Sequence, residues 1–149
     1  MKGILQTLIE TEMGPVSVLI EEGRAVRIKL GGLFEGVPKM EVEPFKSQIE
    51  GYFRGKIKGV DFPVKITGTE FLLRVWEEVR KIPYGRVLTY GQVARNLKTA
   101  PRAVGLAMAR NPLPIYIPCH RVVSKNGLGG FGAGVEWKRF LLELEGVVL

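Results

Sequence analysis

The sequence predicts an α+β protein, with a small antiparallel β-sheet and one helix first and a mostly helical part afterwards. Apolar and polar residues alternate over the first thirty positions, which is the period of a β-strand. Beyond about residue 65 apolar residues recur at helical spacing, between prolines and glycines that end helices. We therefore expect a scaffold domain over 1–64 and a second domain over 65–149.

The first part of the chain resembles a scaffold. Alternation over 16–20, a turn at 21–24 and a second alternating run at 26–30 predict a hairpin with one polar face. Farther on, Phe45 is followed by apolar residues at i+4, i+7 and i+8, a spacing that predicts a short amphipathic helix. No catalytic constellation is present in this part.

The second part contains helix start signals at regular intervals. Thr67 and Glu70 have the spacing of a capping box, and Thr89 and Gln92 repeat it. After a short break, Pro101 suits the first turn of a further helix. Two short helices with a tight break between them predict a helix-turn-helix, whose second helix approaches DNA.

The charge of the chain is unevenly distributed. The net charge is +7, and positions 80–134 contain nine Lys and Arg residues but no acidic residue. A solvated basic face is the ordinary meaning of such an excess. A run of this length without a carboxylate favours a polyanion, and hence nucleic acid, as the partner.

Composition excludes several classes of site and location. The apolar runs are shorter than the roughly 18 residues of a membrane span, and the N-terminal residues show no cleavable signal, so we expect a cytoplasmic protein. One cysteine and one histidine allow no intrachain disulfide and argue against a four-ligand zinc site. The glycine-rich loop at 127–134 lacks the Lys-Ser/Thr pair of a phosphate-binding loop. We expect no bound metal.

The single cysteine, Cys119, is followed directly by the single histidine, His120. A lone cysteine is most often buried and inert. Here Pro118 stiffens the backbone before it, and the nearby basic residues His120, Arg121 and Lys125 predict a lowered thiol pKa. If the segment is extended, Cys119 and His120 point to opposite faces and couple through a turn or a bridging water.

A third group is needed to orient the histidine. Glu145, near the end of the last helix, is a candidate for it. The alternative is a solvated carboxylate at a helix end.

Several segments together resemble the O6-alkylguanine-DNA alkyltransferases, also called methylated-DNA–protein-cysteine methyltransferases. IPCHRVV at 117–123 resembles their active-site motif, and F-x-x-x-V-W, KIPYG, TYGQVA and RAVGLAMARNP precede it in the family's order. The glycine loop and a closing helix ending in LEG follow it. The resemblance is strong over about 66–146, and it implies an RNase H-like N-terminal domain and a winged helix-turn-helix C-terminal domain.

The resemblance implies repair of DNA by direct reversal of damage. The alkyl group of O6-alkylguanine, or of O4-alkylthymine, in a flipped-out nucleotide would move irreversibly to Cys119. Each molecule would react once, as a monomer and without a cofactor. Its partner would be double-stranded DNA that contains the lesion.

The resemblance also implies roles for individual residues. Five would be catalytic: the nucleophile Cys119, the base His120 acting through a water, the carboxylate Glu145, the proton donor Tyr90 and the brace Asn111. Residues at the DNA would be Arg102, as a finger that fills the gap in the duplex, with Tyr90, Gly91, Ala103, Gly105 and Lys125. The substrate pocket would include Met108, Pro114, Val122, Phe131 and Gly132.

Three other readings compete with this one. Alkyltransferase-like proteins bind alkylated DNA without repairing it, but they replace the cysteine that this chain retains at Cys119. A helix-turn-helix regulator would need a dimerisation element, and no segment suggests one. A cysteine hydrolase would leave the basic run at 80–134 unexplained.

Overall fold

The computed structural model describes residues 3–149, so the first two residues of the expected 1–64 domain lie outside it. The chain divides into two compact units, Met1–Ile66 and Thr67–Leu149. The first contains an antiparallel sheet and a helix, and the second contains four helices, which confirms the α+β class. Within 3–149, no helix is both long enough and apolar enough to cross a lipid bilayer.

The first unit is built on a three-stranded antiparallel sheet. Its strands β1 (Ile4–Thr11), β2 (Gly14–Glu21) and β3 (Arg24–Leu30) lie in sequence order. The predicted hairpin is β2 and β3, with Val16 opposite Leu30. Because side chains alternate along a strand, the apolar positions of both strands face one core.

Helix α1 (Phe45–Phe53) contacts β1 and buries the predicted apolar stripe except for its last residue, Phe53, which is half-buried. Phe45, Ile49 and Tyr52 are its buried residues. The ring of Phe45 also packs on that of Phe62, with centroids 5.0 Å apart.

The side chain of Gln6 links the loop that follows β3 to the sheet of the first unit. Gln6 is fully buried, and its amide donates to the carbonyl oxygens of Phe34 at 2.6 Å and Val37 at 2.9 Å. Its side-chain oxygen accepts from the Phe34 N–H at 3.0 Å. Both N–H groups of this amide donate and its oxygen accepts, so its polar atoms are satisfied, as a buried amide requires.

The second unit places its helices around a short parallel ribbon. The elements are α2 (Glu70–Arg80), β4 (Leu88–Thr89), α3 (Tyr90–Leu97), α4 (Pro101–Ala109), β5 (Val122–Val123) and α5 (Val135–Leu144). Strands β4 and β5 pair in parallel. The Trp76 indole N–H donates to the Ala107 carbonyl at 2.9 Å and ties α2 to α4.

Helices α3 and α4 form the expected pair with a tight break. Lys98 adopts a left-handed conformation, with φ of 57°, and ends α3. The capping box at the start of α3 is confirmed, since the Thr89 hydroxyl accepts from the Gln92 N–H and the Gln92 side chain accepts from the Thr89 N–H. Pro101 is the first residue of α4, as expected.

The other expected capping box is wrong. Thr69, not Thr67, caps α2, and its hydroxyl accepts from the Leu72 N–H at 3.1 Å. Glu70 is therefore the first residue of the helix, where its negative charge favours the positive end of the helix dipole. Thr67 and Thr69 are both possible N-cap residues, and α2 begins after the later one.

Candidate active site

Cys119 opens a single 3₁₀ turn, Cys119–Arg121, so the extended conformation considered for this segment is not adopted there. Extended structure begins only at Val122. The Arg121 N–H donates to the Pro118 carbonyl at 2.9 Å and closes the turn. Since a 3₁₀ helix has three residues per turn, the side chains of Cys119 and His120 still diverge, by about 120° rather than 180°.

The Cys119 thiol is buried, with only 6% of the residue exposed. Burial raises the pKa of the thiol to about 11, although a hydrogen bond with Asn111 and the charge of Lys138 act in the opposite direction. The expectation of a lowered pKa is therefore wrong. Arg121 is turned towards a carboxylate instead, and Lys125 is exposed.

Asn111 braces the segment that leads to the thiol. Its amide nitrogen donates to the Ile117 carbonyl at 2.8 Å, and its side-chain oxygen accepts from the Leu113 N–H at 2.8 Å. Between these two contacts, Ile115 adopts a φ of 79°, which is strained for a β-branched residue. The two hydrogen bonds fix the turn around this strained position.

Glu145 holds three separated segments together. Its carboxylate accepts from the Gly85 N–H at 3.0 Å, from His120 Nε2 at 2.7 Å, and from Arg121 Nε and Nη2 at 2.9 Å each. Burial alone would raise the pKa of this carboxyl, but the hydrogen bonds from His120 and Arg121 hold the pKa far below its ordinary value. The carboxylate is ionised throughout the physiological range.

The state of His120 follows from this contact. An ionised carboxylate only accepts hydrogen bonds, so the proton of the neutral ring is on Nε2 and Nδ1 is the basic nitrogen. Burial lowers the pKa of His120, and Glu145 offsets part of that effect. The ring is neutral at pH 7 and can accept a proton.

Lys138 lies within the same unit with no exposed surface. Its ammonium donates to the Val122 carbonyl at 2.6 Å and the Gly130 carbonyl at 3.0 Å, and it lies 3.5 Å from the Tyr90 hydroxyl. Burial lowers the pKa of Lys138 to about 8, and the nearby Cys119 acts in the opposite direction. One buried cation thus joins the glycine loop to β5.

A cavity of about 400 Å³ opens over the thiol. Its lining residues are Tyr90, Gly105, Met108, Ala109, Cys119, Gly130, Phe131 and Gly132. The small residues of α4 form one side of it and the glycine loop another, which leaves room for a planar ring. The Cys119 sulfur lies at the wall of a pocket that a flat heterocycle can enter.

Tyr90 and the glycine loop meet in close contact. Tyr90 is the first residue of α3, and its hydroxyl lies 3.5 Å from the Gly130 carbonyl. Burial raises the pKa of Tyr90, and the nearby Cys119 adds to this. Gly129 has a φ of +79°, and a Cβ atom there would lie 2.8 Å from both Cε2 and the hydroxyl of Tyr90. The close contact and the positive φ together strongly favour glycine at this position.

Comparison with known proteins agrees with this geometry. The family model described as "6-O-methylguanine DNA methyltransferase, DNA binding domain" matches residues 70–147, more than half of the chain. A methylated-DNA–protein-cysteine methyltransferase of Metallosphaera sedula is 40% identical over 139 residues, which cover 91% of this chain and 89% of the relative. The chain belongs to the methylated-DNA–protein-cysteine methyltransferase family.

Solved structures of the family extend the likeness over both units. The Mycobacterium tuberculosis family member solved in complex with DNA has a TM-score of 0.85 at 31% identity, and the match covers 95% of this chain and 92% of that one. The O6-methylguanine-DNA methyltransferase of Pyrococcus kodakaraensis has a TM-score of 0.79 at 29% identity, over 96% and 100% of the two chains. The resemblance inferred from the sequence motifs is confirmed.

The residues expected in the pocket of this family member divide into two groups. Met108, Phe131 and Gly132 line the cavity over Cys119. Pro114 does not, because it lies in the braced turn and bridges to Ile117. Val122 does not either, because its side chain is fully buried in β5 and its carbonyl oxygen accepts from Lys138.

The residues expected at DNA lie on the surface of the second unit or at the pocket. Arg102 is exposed at the second position of α4, and Ala103 and Gly105 follow on the same helix, half-buried. Gly91 is half-buried at the start of α3. Lys125 is exposed and lines a separate hollow of about 410 Å³ with Arg139 and the last residues, away from the thiol.

Sequence reasoning missed Lys138 altogether. It named Arg121 as a neighbour of the thiol but missed that this side chain points inward and pairs with Glu145. Arg121 pairs with Glu145 through two nitrogens and donates through Nη1 to the Ile82 carbonyl at 2.8 Å. A signal for Lys138 existed, because it precedes Glu145 by seven residues, two helical turns, and so shares its face of α5. Trp137 and Leu141, which flank that face, are apolar and buried.

Proposed function

We propose that this protein is a methylated-DNA–protein-cysteine methyltransferase that moves the alkyl group of O6-alkylguanine in DNA onto Cys119. The observation that carries the proposal is the Cys119 sulfur in the wall of a base-sized pocket, with His120 in the same 3₁₀ turn and paired with Glu145 from the end of α5. The relatives named for this activity support it. The domain of residues 65–149 contains all the reacting groups.

The thiol is neutral at rest because its pKa is about 11. When substrate fills the pocket, a water molecule takes the thiol proton and passes one to Nδ1 of His120. The charge that forms on the imidazole is stabilised by Glu145, which is already ionised and 2.7 Å from Nε2. The pair thus works as the base and its orienting carboxylate do in other activated nucleophiles.

The sulfur then attacks the alkyl carbon of the lesion. A new S–C bond forms as the C–O6 bond breaks, and the electron pair of that bond leaves with the guanine. Tyr90 keeps its proton at neutral pH, since burial raises its pKa, and it lies in the pocket wall where it can donate to the departing base. His120 later returns its proton to solvent and Tyr90 takes one up from solvent, so charge and protons balance.

The product is a thioether on Cys119, and nothing in the pocket can cleave it. A thioether carries no leaving group that water can displace at neutral pH. Each molecule therefore reacts once, and the reaction consumes the protein without any cofactor. Asn111 keeps its place in this scheme as the brace of the thiol segment.

The substrate atom lies inside a stacked duplex, so the nucleotide must be extruded at a cost of a few kcal/mol. Arg102, exposed on α4, would occupy the gap, with Gly91, Ala103, Gly105 and Lys125 near the DNA backbone. The acid-free run at 80–134 supplies the electrostatic attraction to phosphate. The same pocket would accept O4-alkylthymine, which presents a similar ring edge.

The proposal includes a monomer that acts in the cytoplasm. One reacting thiol and one pocket lie within a single chain, so the reaction needs no second copy. A free thiol that must stay reduced until use suits a reducing compartment, where chromosomal DNA is also present.

Intact-protein mass spectrometry tests the reaction. Incubation with a duplex that contains O6-methylguanine should raise the mass of the wild-type chain by one methylene equivalent. Cys119→Ala should bind the same duplex without a change in mass. DNA binding by the wild type without an adduct would instead assign the chain to the proteins that bind such lesions but do not repair them.

A further inference from the structure

Helix α4 carries one large apolar side chain that its own fold does not use. The helix packs through Val104 and Ala107, neither of which has exposed surface. Leu106 has 59% of its surface exposed, more than any other large apolar residue in 3–149 except Val148 near the end of the chain. A single exposed leucine is ordinary, so its position has to decide what it does.

The position of Leu106 is at the border of the pocket. Gly105 and Ala109, its neighbours along the helix, both line the cavity over the thiol. Arg102 lies one helical turn before Leu106, so the two side chains share a face with their Cβ atoms roughly 6 Å apart. A nucleotide that enters the cavity over Gly105 and Ala109 must pass beside Leu106.

The surroundings of this face identify duplex DNA as the partner. Arg102 and Arg110 place one exposed cation at each end of α4, and Leu106 and Ala109 are exposed between them. The grooves of DNA have phosphates along their rims, and apolar sugar and base edges between these. No acidic residue occurs anywhere from 80 to 134 to oppose such a contact.

We propose that Leu106 is an apolar wedge that enters a groove of the duplex beside Arg102. This inference rests on the proposed function. There the leucine packs against the sugars and base edges that become accessible when the nucleotide leaves the stack. Leucine is among the residues that DNA-bending proteins insert in this way to offset the cost of unstacking. Arg102 supplies charge in the gap, and Leu106 supplies the apolar contact.

The variant that tests this role is Leu106→Ala. Alanine is the best helix former and the site is exposed, so α4 should fold as before. The single-turnover rate should fall about tenfold with duplex O6-methylguanine and by less than about twofold with O6-benzylguanine as a free base, since only the duplex uses the wedge. Leu106→Met should restore most of the duplex rate, because its side chain is of similar size.

Two controls separate the wedge from other effects. Leu73→Ala removes another exposed leucine of the same unit, on α2, and should leave both rates unchanged. The fluorescence of 2-aminopurine placed beside the lesion reports unstacking. It should rise when Cys119→Ala binds the duplex and rise less when Leu106→Ala is added.

The outcomes are distinct for the two proposals. Three results would each overturn the wedge. They are an unchanged duplex rate in Leu106→Ala, an equal loss of rate on free base and duplex, and a rise in 2-aminopurine fluorescence that is the same with and without Leu106→Ala. A wild-type chain that forms no adduct with either substrate would overturn the proposed function itself.

Discussion

The two units bury polar side chains of different kinds. Among the described residues of the first unit, 3–66, these are neutral, Gln6, Thr7 and Ser17, and their hydrogen bonds go to the backbone of nearby loops. In the second unit they are all ionisable: His120, Arg121, Lys138 and Glu145. A neutral amide or hydroxyl needs only a partner, whereas a buried charge also needs compensation for lost solvation.

The difference teaches where chemistry resides. Each neutral group of the first unit can be explained by the loop that it secures. The charged groups of the second unit contact one another or the pocket around Cys119. Burial of each group shifts its own pKa, upward for the Cys119 thiol and downward for the His120 imidazole and the Lys138 ammonium. A cluster of buried ionisable side chains with shifted pKa values is typical of functional sites.

The largest effect should come from Glu145→Gln. The change leaves Arg121 buried without its charged partner and His120 without its carboxylate, so the free energy of unfolding should fall by about 3 kcal/mol. The rate of alkyl transfer to Cys119 should fall about 100-fold or more, because the imidazolium is no longer stabilised. Chemical denaturation and single-turnover kinetics at pH 7 measure the two effects.

The same variant has a pH signature. The folded pKa of Glu145 is far below its ordinary value of 4.5, so its contribution to stability is complete above that pH and is lost as the pH falls. The wild type should lose stability more steeply than Glu145→Gln between about pH 5 and pH 3. Parallel curves for the two proteins would contradict the ion-pair account of this cluster.

A smaller effect is expected for Lys138→Met, which keeps an unbranched side chain, shorter by one atom, and removes its charge. Relief of the buried charge should offset the loss of hydrogen bonds to Val122 and Gly130, so stability at pH 7 should change by less than about 1 kcal/mol. The alkyl-transfer rate should fall about tenfold, because the glycine loop and Tyr90 lose their common anchor.

The pKa of Lys138 determines whether the stability of the wild type rises or falls with pH relative to Lys138→Met. Since the pKa is about 8 in the folded chain and ordinarily 10.5, the unfolded chain binds more protons between these values. Relative to Lys138→Met, the stability of the wild type should therefore rise between about pH 8 and pH 10. The Cys119 thiol, whose pKa rises from 9.0 to about 11 on folding, acts in the opposite direction near pH 9 in both proteins. A slope that is the same in Lys138→Met would show that the ammonium is not desolvated.

The smallest effect on reactivity should come from the first unit. Gln6→Ala leaves the Phe34 and Val37 carbonyls without their donor, so the free energy of unfolding should fall by about 2 kcal/mol. The rate of reaction with free O6-benzylguanine should not change at a temperature where the chain is folded. Gln48→Ala, at a more exposed glutamine that accepts one hydrogen bond, is the matched control. A rate loss in Gln6→Ala alone would contradict the division of roles.

Local patterns in the sequence were sufficient to predict the α-helices and the antiparallel sheet. Thr89 and Gln92 form their box because both partners lie within one turn. Thr67 failed as a cap because a second threonine lies two residues closer to the helix. Such choices depend on small free-energy differences that spacing does not reveal.

The electrostatics of the site could not be read from neighbours in the chain. Arg121 and Lys125 are close to Cys119 in sequence, yet one pairs with Glu145 and the other is exposed. The cation that does act on the thiol, Lys138, comes from α5 and is fully buried, which is rare for lysine. The sign of the thiol pKa shift depends on burial, which only the folded chain determines.

Gly129 turns a packing constraint into a genetic one. It has no reactive group, yet a Cβ atom there would lie 2.8 Å from the Tyr90 side chain, on a backbone whose φ of +79° is rare for other residues. Gly130 and Gly132, in the same loop, have open space where a Cβ would lie and no unusual φ. Missense changes should therefore be tolerated less at codon 129 than at codons 130 and 132 of the same loop.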